Sequence, residues 1–259
     1  MNPEALLSIE GVNVYYGADA STEGLHALSD VTLHVEDGSC VCLLGPSGCG
    51  KSTLLNLVAG FLRPTTGTVF VNGAEVTEPG FERGMVFQEP TLYNWLDVFG
   101  NIAFGLKMRG VAETETKERV ARFIDLTGLD GFDHFPPYEL SGGMKQRVAL
   151  SRVLVNDPQV LLMDEPFSAL DPATRQEMQE LLVSLRTRRK CTVLLVTHDV
   201  NEALFLADRI VIFSARPGRI IDEIDLRDVS FTDRRSEIIE RPDMTALHKR
   251  IMSAVTNQS

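Results

Sequence analysis

The sequence lacks any long uninterrupted hydrophobic run. No stretch of the chain approaches the roughly 18 consecutive apolar residues that a membrane-spanning helix needs. Residues 1–5 carry neither a basic segment nor a cleavable apolar segment of the kind that directs export. Both absences lead us to expect a protein that stays in the cytoplasm and reaches a membrane only through a partner.

Basic residues are scarce relative to acidic ones. The 259 residues include 25 Lys and Arg against 36 Asp and Glu, which gives a formal net charge of −11 at pH 7. Nucleic acids and anionic lipids both attract basic surfaces. The charge balance therefore argues against nucleic acid as a partner and against direct adsorption to lipid.

Cysteines are few, and none has the spacing of a metal or disulfide framework. Cys40, Cys42, Cys49 and Cys191 include no C-x-x-C pair, which argues against structural zinc and against disulfides. We expect Cys40, Cys42 and Cys191 to be small core residues. Cys49 lies in a glycine-rich loop and is a candidate for alkylation.

The most informative stretch that is present is the glycine-rich segment 45–53. It follows a short, mostly apolar run at 39–44 that is typical of a buried strand, and it precedes apolar residues at helical spacing in 54–61. In this context a G-x-x-x-x-G-K-[ST] match predicts phosphate binding, and the alternative is a glycine-rich turn with a solvated lysine. The candidate nucleotide-binding residues are Gly45, Pro46, Ser47, Gly48, Cys49, Gly50, Lys51, Ser52 and Thr53.

Each residue type in this segment has a chemical reason. Gly45, Gly48 and Gly50 have no Cβ, so the backbone can direct successive N–H groups into one concavity. The following helix adds the partial positive charge of its N-terminus. Lys51 supplies a charge for the β- and γ-phosphates, and the Ser52 hydroxyl is suited to bind Mg²⁺. The segment predicts a site for a nucleoside triphosphate.

Polar side chains at the ends of other predicted strands suggest a hydrolytic site. Asp164 and Glu165 follow an apolar run at 160–163. The first acid can hold Mg²⁺, and the second can polarise the water that attacks the γ-phosphate. His198 can bond the γ-phosphate or that water, and Gln88 can bridge metal and water. For His198 and Gln88 an ordinary structural role is the alternative.

Two adjacent tyrosines end a predicted strand ahead of the polar loop 17–24. Tyr15 or Tyr16 can stack on an adenine ring, or both can pack against the sheet. Position alone does not separate these alternatives.

A second candidate for phosphate binding lies in segment 140–147. Ser141, Gly142 and Gly143 precede a long amphipathic helix, and so form a nest at a helix N-terminus. This segment belongs to a helical block far along the chain from Lys51. One triphosphate can be bound by both only if they come from two copies of the chain. The pattern predicts a head-to-tail dimer with two nucleotides at its interface.

The order of strand and helix patterns predicts an α/β fold. Antiparallel strands are predicted within 6–38, as separate runs at 7–10, 12–15 and 31–35. Further strands are predicted at 68–71, closed by an Asn72-Gly73 hairpin, and at 84–87, 160–163, 192–197, 209–213 and 219–226. Helices are predicted at 98–109, 114–127, 143–155, 172–186, 201–207 and 244–255. The first three helices indicate an inserted helical subdomain with hinges near Gln88 and residues 157–158.

Together these motifs make the chain resemble an ATP-binding cassette (ABC) ATPase along nearly its whole length. Segment 45–52 resembles the Walker A loop, 160–165 resembles Walker B with its catalytic glutamate, and 140–144 resembles the family signature. Other positions that match the family are the Q-loop glutamine Gln88, the D-loop at 168–171, the switch histidine His198 and the adenine-stacking aromatic Tyr16.

The resemblance implies a fold and a domain organisation. The fold is a P-loop NTPase core, in which helices flank a mixed sheet, with an antiparallel β subdomain and an inserted α-helical subdomain. The ABC ATPase domain is expected at 6–227, with the helical subdomain at about 89–157 inserted in a RecA-like core. Residues 228–259 are expected to form a short C-terminal helical extension.

The resemblance also implies roles for individual residues, with ATP and Mg²⁺ as cofactors. The implied catalytic residues are Glu165, His198, Gln88 and Lys51. The implied ligands of Mg²⁺ are Ser52, Gln88 and Asp164. Nucleotide contacts beyond the segment 45–53 are expected from Tyr16, Ser141, Gly142, Gly143 and Asp171.

Within the family, several stretches resemble importer ATPases of the nitrate/sulfonate/taurine group. They are 45–51, 82–88, 164–171 and 216–220. The chain departs from the group at Asn94, where a proline usually precedes the tryptophan, and we expect Asn94 to loosen that turn. The loop 17–24 is also longer than usual.

This resemblance implies the motor subunit of an importer for a small anionic solute of the taurine, alkanesulfonate or nitrate type. The expected partners are a second copy of the chain, an integral membrane permease docked near 88–95 and, indirectly, a solute-binding protein. The expected location is the cytoplasmic face of the inner membrane, as a peripheral subunit. The alternatives are a soluble mechanical ABC ATPase of DNA repair or translation, and a monomeric kinase, in which Ser141 and its glycines have no task.

Overall fold

The computed structural model describes residues 5–17, 24–189, 191–228 and 242–256, and elements are numbered here in chain order. The strands are β1 (Ala5–Tyr16), β2 (Leu25–Glu36), β3 (Cys40–Leu44), β4 (Thr66–Val71), β5 (Ala74–Glu75), β6 (Arg83–Val86), β7 (Val160–Asp164), β8 (Thr192–Val196), β9 (Arg209–Phe213) and β10 (Ile220–Asp225). The α-helices are α1 (Lys51–Ala59), α2 (Val98–Met108), α3 (Glu113–Leu126), α4 (Gly142–Leu154), α5 (Pro172–Arg189), α6 (Val200–Leu206) and α7 (Pro242–Thr256).

The chain divides into two compact units. The first comprises Met1–Gly80 and Lys190–Ser259, and the second comprises Phe81–Arg189. The helical subdomain that we predicted at 89–157 lies inside the second unit, which also includes β6, β7 and α5. In the part of the chain that the structure describes, no helix is both long and apolar enough to cross a bilayer.

An antiparallel sheet with the order β2-β1-β4-β5 forms one part of the first unit. The sequence predicted separate strands at 7–10 and 12–15, but β1 is one continuous strand. Gly11 has φ +55, and the pairing with β2 shifts register between Ile9 and Val12. A β-bulge therefore absorbs the break in alternation that made one strand look like two.

Two connections within this sheet join paired antiparallel strands. Asn72 (φ 50) and Gly73 (φ 76) connect β4 to β5 as a two-residue turn, which confirms the predicted hairpin. At the other connection Tyr16 pairs with Leu25. Residues 18–23 of the predicted long loop lie outside the described residues.

The first unit also contains a mostly parallel set of strands in the order β10-β9-β3-β8. All five residues of β3 are buried, as its apolar sequence predicted. Cys40, Cys42 and Cys191 are buried as well, so their prediction as core residues is confirmed. Helix α7 packs against α6 and β9, where Ile251 is fully buried. The strand β3 runs directly into the glycine-rich loop.

In the second unit a parallel strand pair accompanies four α-helices and a short 3-10 helix at Pro137–Glu139. Strand β6 pairs with β7, and α2 packs against both α3 and α4. The helices predicted at 98–109, 114–127 and 143–155 are confirmed to within one residue at each end. Their buried apolar core includes Val98, Ile102, Leu106, Val120, Phe123, Ile124, Val148 and Leu150.

The turn before α2 is closed, and the expectation that Asn94 loosens it is wrong. The Leu96 N–H donates to the Tyr93 carbonyl at 3.1 Å. The fully buried side chain of Asn101 accepts from the Tyr93 N–H at 2.8 Å. Its amide group donates to the carbonyls of Tyr93, Leu96 and Asp97 at 3.1, 3.1 and 2.9 Å. A polar side chain from the helix therefore holds the turn where the group's proline is missing.

Two glycines with similar left-handed backbones provide a test of how tightly the antiparallel sheet packs at the bulge of β1. Gly67 (φ +84) faces the bulge of β1, where a Cβ would lie 2.5 Å from the carbonyl oxygens of Glu10 and Gly11, whereas Gly73 (φ +76) has open space around it. We expect Gly73→Ala to cost about 1 kcal/mol, since only the backbone conformation is penalised, and Gly67→Ala to cost on the order of 3 kcal/mol. Thermal unfolding of the full chain measures both, and equal shifts in Tm would contradict the crowding at Gly67.

Candidate active site

The glycine-rich loop lies directly on the strands beneath it. A Cβ on Gly45 would lie 2.9 Å from the Phe213 carbonyl oxygen. A Cβ on Gly50 would lie 2.6 Å from Leu28 Cδ2 and 2.9 Å from the Ala27 carbonyl oxygen. Gly50 is the N-cap of α1 and gives it no side-chain cap. The first amides of α1 therefore remain available to an anion, as at other helix N-termini.

The backbone carbonyls of the glycine-rich loop hold the Lys51 side chain in place. The side chain is 6% exposed, and its ammonium group donates to the carbonyl oxygens of Gly45 at 2.8 Å and Pro46 at 2.9 Å. The Cys49 thiol lies 3.6 Å away and is buried. Cys49 points inward beneath the loop, so its prediction as a site for alkylation is wrong. Hydrogen bonds to the loop thus fix the position of the Lys51 ammonium group.

The two tyrosines at the end of β1 have different contacts. Tyr15 stacks on His26, with ring centroids 4.0 Å apart and planes 11° from parallel. Tyr16 is 39% exposed and donates a hydrogen bond of 3.2 Å to the Thr53 hydroxyl in the first turn of α1. Ser52, beside it, is exposed. Tyr15 therefore serves sheet packing, while Tyr16 lies next to the phosphate loop.

His198 belongs to the same edge of the first unit. It follows β8, which is the parallel neighbour of β3, and the Thr197 N–H donates to the Leu43 carbonyl at 3.3 Å. The carboxyl ends of neighbouring parallel strands form the ligand-binding edge of open α/β sheets. His198 is exposed there. The structure thus brings His198 and the glycine-rich loop to one edge.

Arg216, which has no role predicted from the sequence, also supports the glycine-rich loop. Arg216 follows β9 and donates to the Gly48 carbonyl oxygen from Nε at 3.2 Å and Nη2 at 3.1 Å. Gly218 exchanges hydrogen bonds with Ala27 and Ser29, and a Cβ on Gly218 would overlap the Cys49 carbonyl oxygen. Segment 216–220 was noted only for its resemblance to importers, because no local spacing indicates a contact with a loop so distant in sequence.

In the second unit, Gln88 and Glu165 are connected through a serine. Gln88 follows β6, and Glu165 follows the last residue of the parallel strand β7, Asp164. The Gln88 amide donates to Ser168 Oγ at 3.3 Å, and that hydroxyl donates to the Glu165 carbonyl at 3.0 Å. Glu165 has φ +45, which is uncommon for a residue with a side chain. Sequence reasoning placed Ser168 in the D-loop but missed this bridge.

Asp171 caps a helix. It precedes Pro172 of α5, and its Oδ1 accepts a hydrogen bond of 3.1 Å from the Thr174 N–H. Hydrogen bonds from the Thr174 side chain and backbone hold the pKa of the exposed Asp171 carboxyl below its usual range. The capping carboxylate therefore stays ionised, and a contact with nucleotide remains a prediction.

The segment predicted as a second phosphate-binding nest, the second cradle, forms the N-terminus of α4, and its contact with phosphate stays a prediction. Ser141 is the N-cap, and its hydroxyl accepts from the Met144 N–H at 3.3 Å. Ser141 and Gly142 are exposed, and a Cβ on Gly142 would meet nothing within 4 Å. A Cβ on Gly143 would overlap the methyl group of Thr174 in α5. The first glycine leaves an open face and the second allows α4 to approach α5.

The chemistry of each candidate metal ligand suits Mg²⁺. Among the described residues, no group of three His, Cys, Asp or Glu side chains is placed to hold a metal ion. Ser52, Gln88 and Asp164 offer a hydroxyl, an amide oxygen and one carboxylate. Mg²⁺ prefers such oxygen ligands, and it is commonly bound by one or two carboxylates together with substrate phosphates.

Comparisons with known proteins identify the family. The profile described as "ABC transporter" matches residues 28–168. The taurine import ATP-binding protein TauB of Pelagibacter ubique is 46% identical over 238 residues, which cover 91% of this chain and 89% of that protein. The chain belongs to the ABC transporter family. The nitrate import ATP-binding protein NrtD of Synechocystis is 49% identical over 200 residues, covering 77% of this chain and 75% of that protein.

A solved structure agrees with this assignment. The dimeric structure of the ATP-binding cassette MJ0796, in a post-hydrolysis state bound to ADP and Pi, has a TM-score of 0.75 and 31% identity. The match covers 85% of this chain and 99% of that chain. The predicted fold class, a P-loop NTPase fold with mixed α/β architecture, is confirmed. The chain is an ATPase of this family.

The serine bridge in the second unit yields a kinetic prediction. Ser168→Ala removes the hydrogen bonds that link Gln88 to the Glu165 backbone. Since one such bond contributes about 0.5–1.5 kcal/mol, we expect kcat for ATP to fall roughly twofold to tenfold. KM for ATP should stay within about twofold, because the phosphate loop is unchanged. Steady-state ATPase assays of the full chain measure both parameters.

A matched control is Ser184→Ala, which removes a hydroxyl that donates to the Leu181 carbonyl within α5. This variant should keep the kcat of the unmodified chain. A Ser168→Ala enzyme as active as Ser184→Ala would show that the bridge has no part in turnover.

Proposed function

We propose that this chain is the ATP-hydrolysing motor of a membrane importer for a small anion of the taurine, alkanesulfonate or nitrate type. The observation that carries the proposal is that two glycine-containing helix N-termini, those of α1 and α4, lie one in each compact unit of a chain related to import ATP-binding proteins. These relatives favour an importer over a mechanical ABC ATPase of DNA repair or translation.

The first unit binds the nucleotide in this proposal. The loop 45–50 and the first amides of α1 bind the phosphates, and Lys51 neutralises charge on the β- and γ-phosphates. Tyr16 stacks on adenine, which is supported by its exposure beside Thr53. Ser52 is a ligand of Mg²⁺, and His198 bonds the γ-phosphate. Mg²⁺, when bound, neutralises developing charge on the phosphate oxygens.

The second unit promotes hydrolysis in this proposal. Asp164 and Gln88 are further ligands of Mg²⁺, and Glu165 orients and polarises the attacking water. The link from Gln88 through Ser168 to Glu165 supports a shared task for these residues. Asp171 contacts nucleotide from the D-loop, and its low pKa keeps it charged.

A second copy of the chain completes each site. Ser141, Gly142 and Gly143 of one copy bind the γ-phosphate held by the loop of the other, which is supported by the exposed cap of α4 and by the dimeric cassette MJ0796. The dimer closes because the triphosphate is bound more tightly in the closed state. Hydrolysis removes the γ-phosphate, and the dimer reopens.

The motor acts on an integral membrane permease at the cytoplasmic face of the inner membrane. The permease docks near 88–95, where Trp95 is 76% exposed at the end of a turn held by Asn101. A solute-binding protein delivers the anion to the permease. The chain thus drives transport without contacting the solute.

Glu165→Gln tests the sandwich dimer. The substitution keeps the shape of the side chain but removes the charge that activates water, so the closed state should persist with Mg²⁺ and ATP. Size-exclusion chromatography with light scattering should show a dimer with ATP and a monomer with ADP. A Glu165→Gln chain that stays monomeric with ATP and hydrolyses it normally would overturn the proposal.

Two further substitutions in the Glu165→Gln chain locate the interface. Ser141→Arg fills the second cradle and should abolish the dimer. Glu118→Arg places the same side chain on the exposed surface of α3 and should leave the dimer intact.

Cellular uptake tests the solute class. Deletion of the gene should lower uptake of radiolabelled taurine, an alkanesulfonate or nitrate, since the motor drives the permease. The unmodified chain should restore uptake, while Glu165→Gln should not. Unchanged uptake of all three anions would exclude the proposed solutes and leave the ATPase itself in place.

A further inference from the structure

The loop between Gln88 and α2 contains a strained residue. Thr91 has φ +42, in the left-handed region. This backbone conformation is an outlier for a β-branched side chain, and it persists only where neighbouring groups hold it. The cause of the strain therefore lies in the contacts of this loop.

Arg152 of α4 makes those contacts. Its Nη1 donates to the Thr91 carbonyl at 2.9 Å, and its Nη2 lies 3.3 Å from both the Pro90 carbonyl and the Thr91 hydroxyl. The guanidinium lies over the Tyr93 ring, 5.2 Å from its centroid. Burial lowers the pKa of Arg152, but a guanidinium remains charged at neutral pH. One half-buried cation thus contacts Pro90, Thr91 and Tyr93 of the loop.

The same helix carries the second anion cradle. Ser141 caps α4 at its N-terminus, and Arg152 lies in the last turn of that helix. The loop begins after Gln88 and ends in the turn that Asn101 closes before Trp95. Arg152 therefore connects the loop after Gln88 to helix α4. In the proposed function this loop carries a metal ligand and the permease contact, and α4 carries the γ-phosphate contact.

We propose that Arg152 is a positioning residue that holds the loop 90–93 on α4 in its strained conformation and thereby fixes Gln88 relative to the signature helix. The importance of Gln88 and Ser141 rests on the proposed function. The clamp itself rests only on the contacts of Arg152 and the backbone of Thr91. In the absence of the guanidinium, Thr91 returns to a relaxed conformation and the loop shifts.

Two substitutions test the two opposing effects separately, namely the hydrogen bonds from Arg152 and the steric penalty at Thr91. Arg152→Met keeps an unbranched apolar stem in place of the aliphatic part of arginine but removes the guanidinium and its hydrogen bonds to the loop. Thr91→Gly keeps both carbonyl acceptors and removes the steric penalty of the positive φ. In a purely packing role for Arg152, the added glycine would only loosen the loop further. In a clamp, Thr91→Gly should compensate for the loss of Arg152.

The experiment measures amide hydrogen exchange of residues 89–96 and steady-state ATPase activity in the full chain. Arg152→Met should raise loop exchange at least about tenfold and lower kcat roughly fivefold, with KM for ATP within about twofold. Arg152→Lys should be intermediate, because an ammonium group reaches fewer acceptors. Adding Thr91→Gly to Arg152→Met should recover most of the lost kcat.

Arg109→Met is the matched control. Arg109 also donates to a backbone carbonyl, that of Asn156, and also lies over an aromatic ring, that of Phe81 at 5.2 Å, but it does not contact the loop 90–93. It should change neither loop exchange nor kcat. Equal effects of Arg152→Met and Arg109→Met, or a further loss on adding Thr91→Gly, would overturn the clamp.

The two halves of the experiment separate this inference from the proposed function. Exchange is measured without nucleotide, so a loop that loosens in Arg152→Met supports the clamp even if Glu165→Gln fails to dimerise. An ATP-trapped dimer with unchanged loop exchange in Arg152→Met would overturn the clamp and leave the proposed function intact.

Discussion

The structure depends on the close approach of the phosphate loop to the strands that support it. A Cβ at Gly45 or Gly50 would press on backbone or core atoms within 3 Å, so these positions accept only hydrogen. The loop is pressed between β2 and the turn after β9, and Lys51 binds back to its carbonyl oxygens. With the backbone fixed this way, α1 begins with amides that no side-chain cap occupies. An anion then meets donors that need no rearrangement, which is the condition for strong electrostatic binding.

The two compact units show different ways of placing polar groups. In the first unit, buried parallel strands bring the loop and His198 to one edge, and Arg216 supports the loop through the Gly48 carbonyl. In the second unit, the groups that are proposed to act on water and metal lie next to strained backbone, at Glu165 and Thr91. Such conformations persist where hydrogen bonds determine them, as Ser168 and Arg152 do here. The glycine-rich loop of the first unit is fixed by packing, and the strained backbone of the second unit is held by side-chain hydrogen bonds.

Sequence reasoning succeeded where the cause of structure is local. The strand, glycine loop and helix at 39–61 and the Asn72-Gly73 turn follow from residue types that act within a few positions. It failed where a distant group decides. Gly11 looked like a break between strands because its bulge is defined by pairing with β2, and the turn at Asn94 is closed by Asn101 in the next helix. Arg216 and Ser168 act on backbone carbonyls, and such contacts have no spacing signature in a single sequence.

The adjacent glycines of α4, Gly142 and Gly143, have different surroundings, so different substitutions are tolerated at the two positions. Gly143 is constrained from within one molecule, because any larger side chain meets Thr174. A side chain at 143 therefore requires the Thr174 side chain to move or to be smaller, which couples the two positions. A Cβ on Gly142 would face open space, so packing within the single chain does not exclude a small side chain there. A requirement for glycine at 142 therefore has to come from what its exposed face contacts, which in the proposed function is the nucleotide bound by a second copy of the chain.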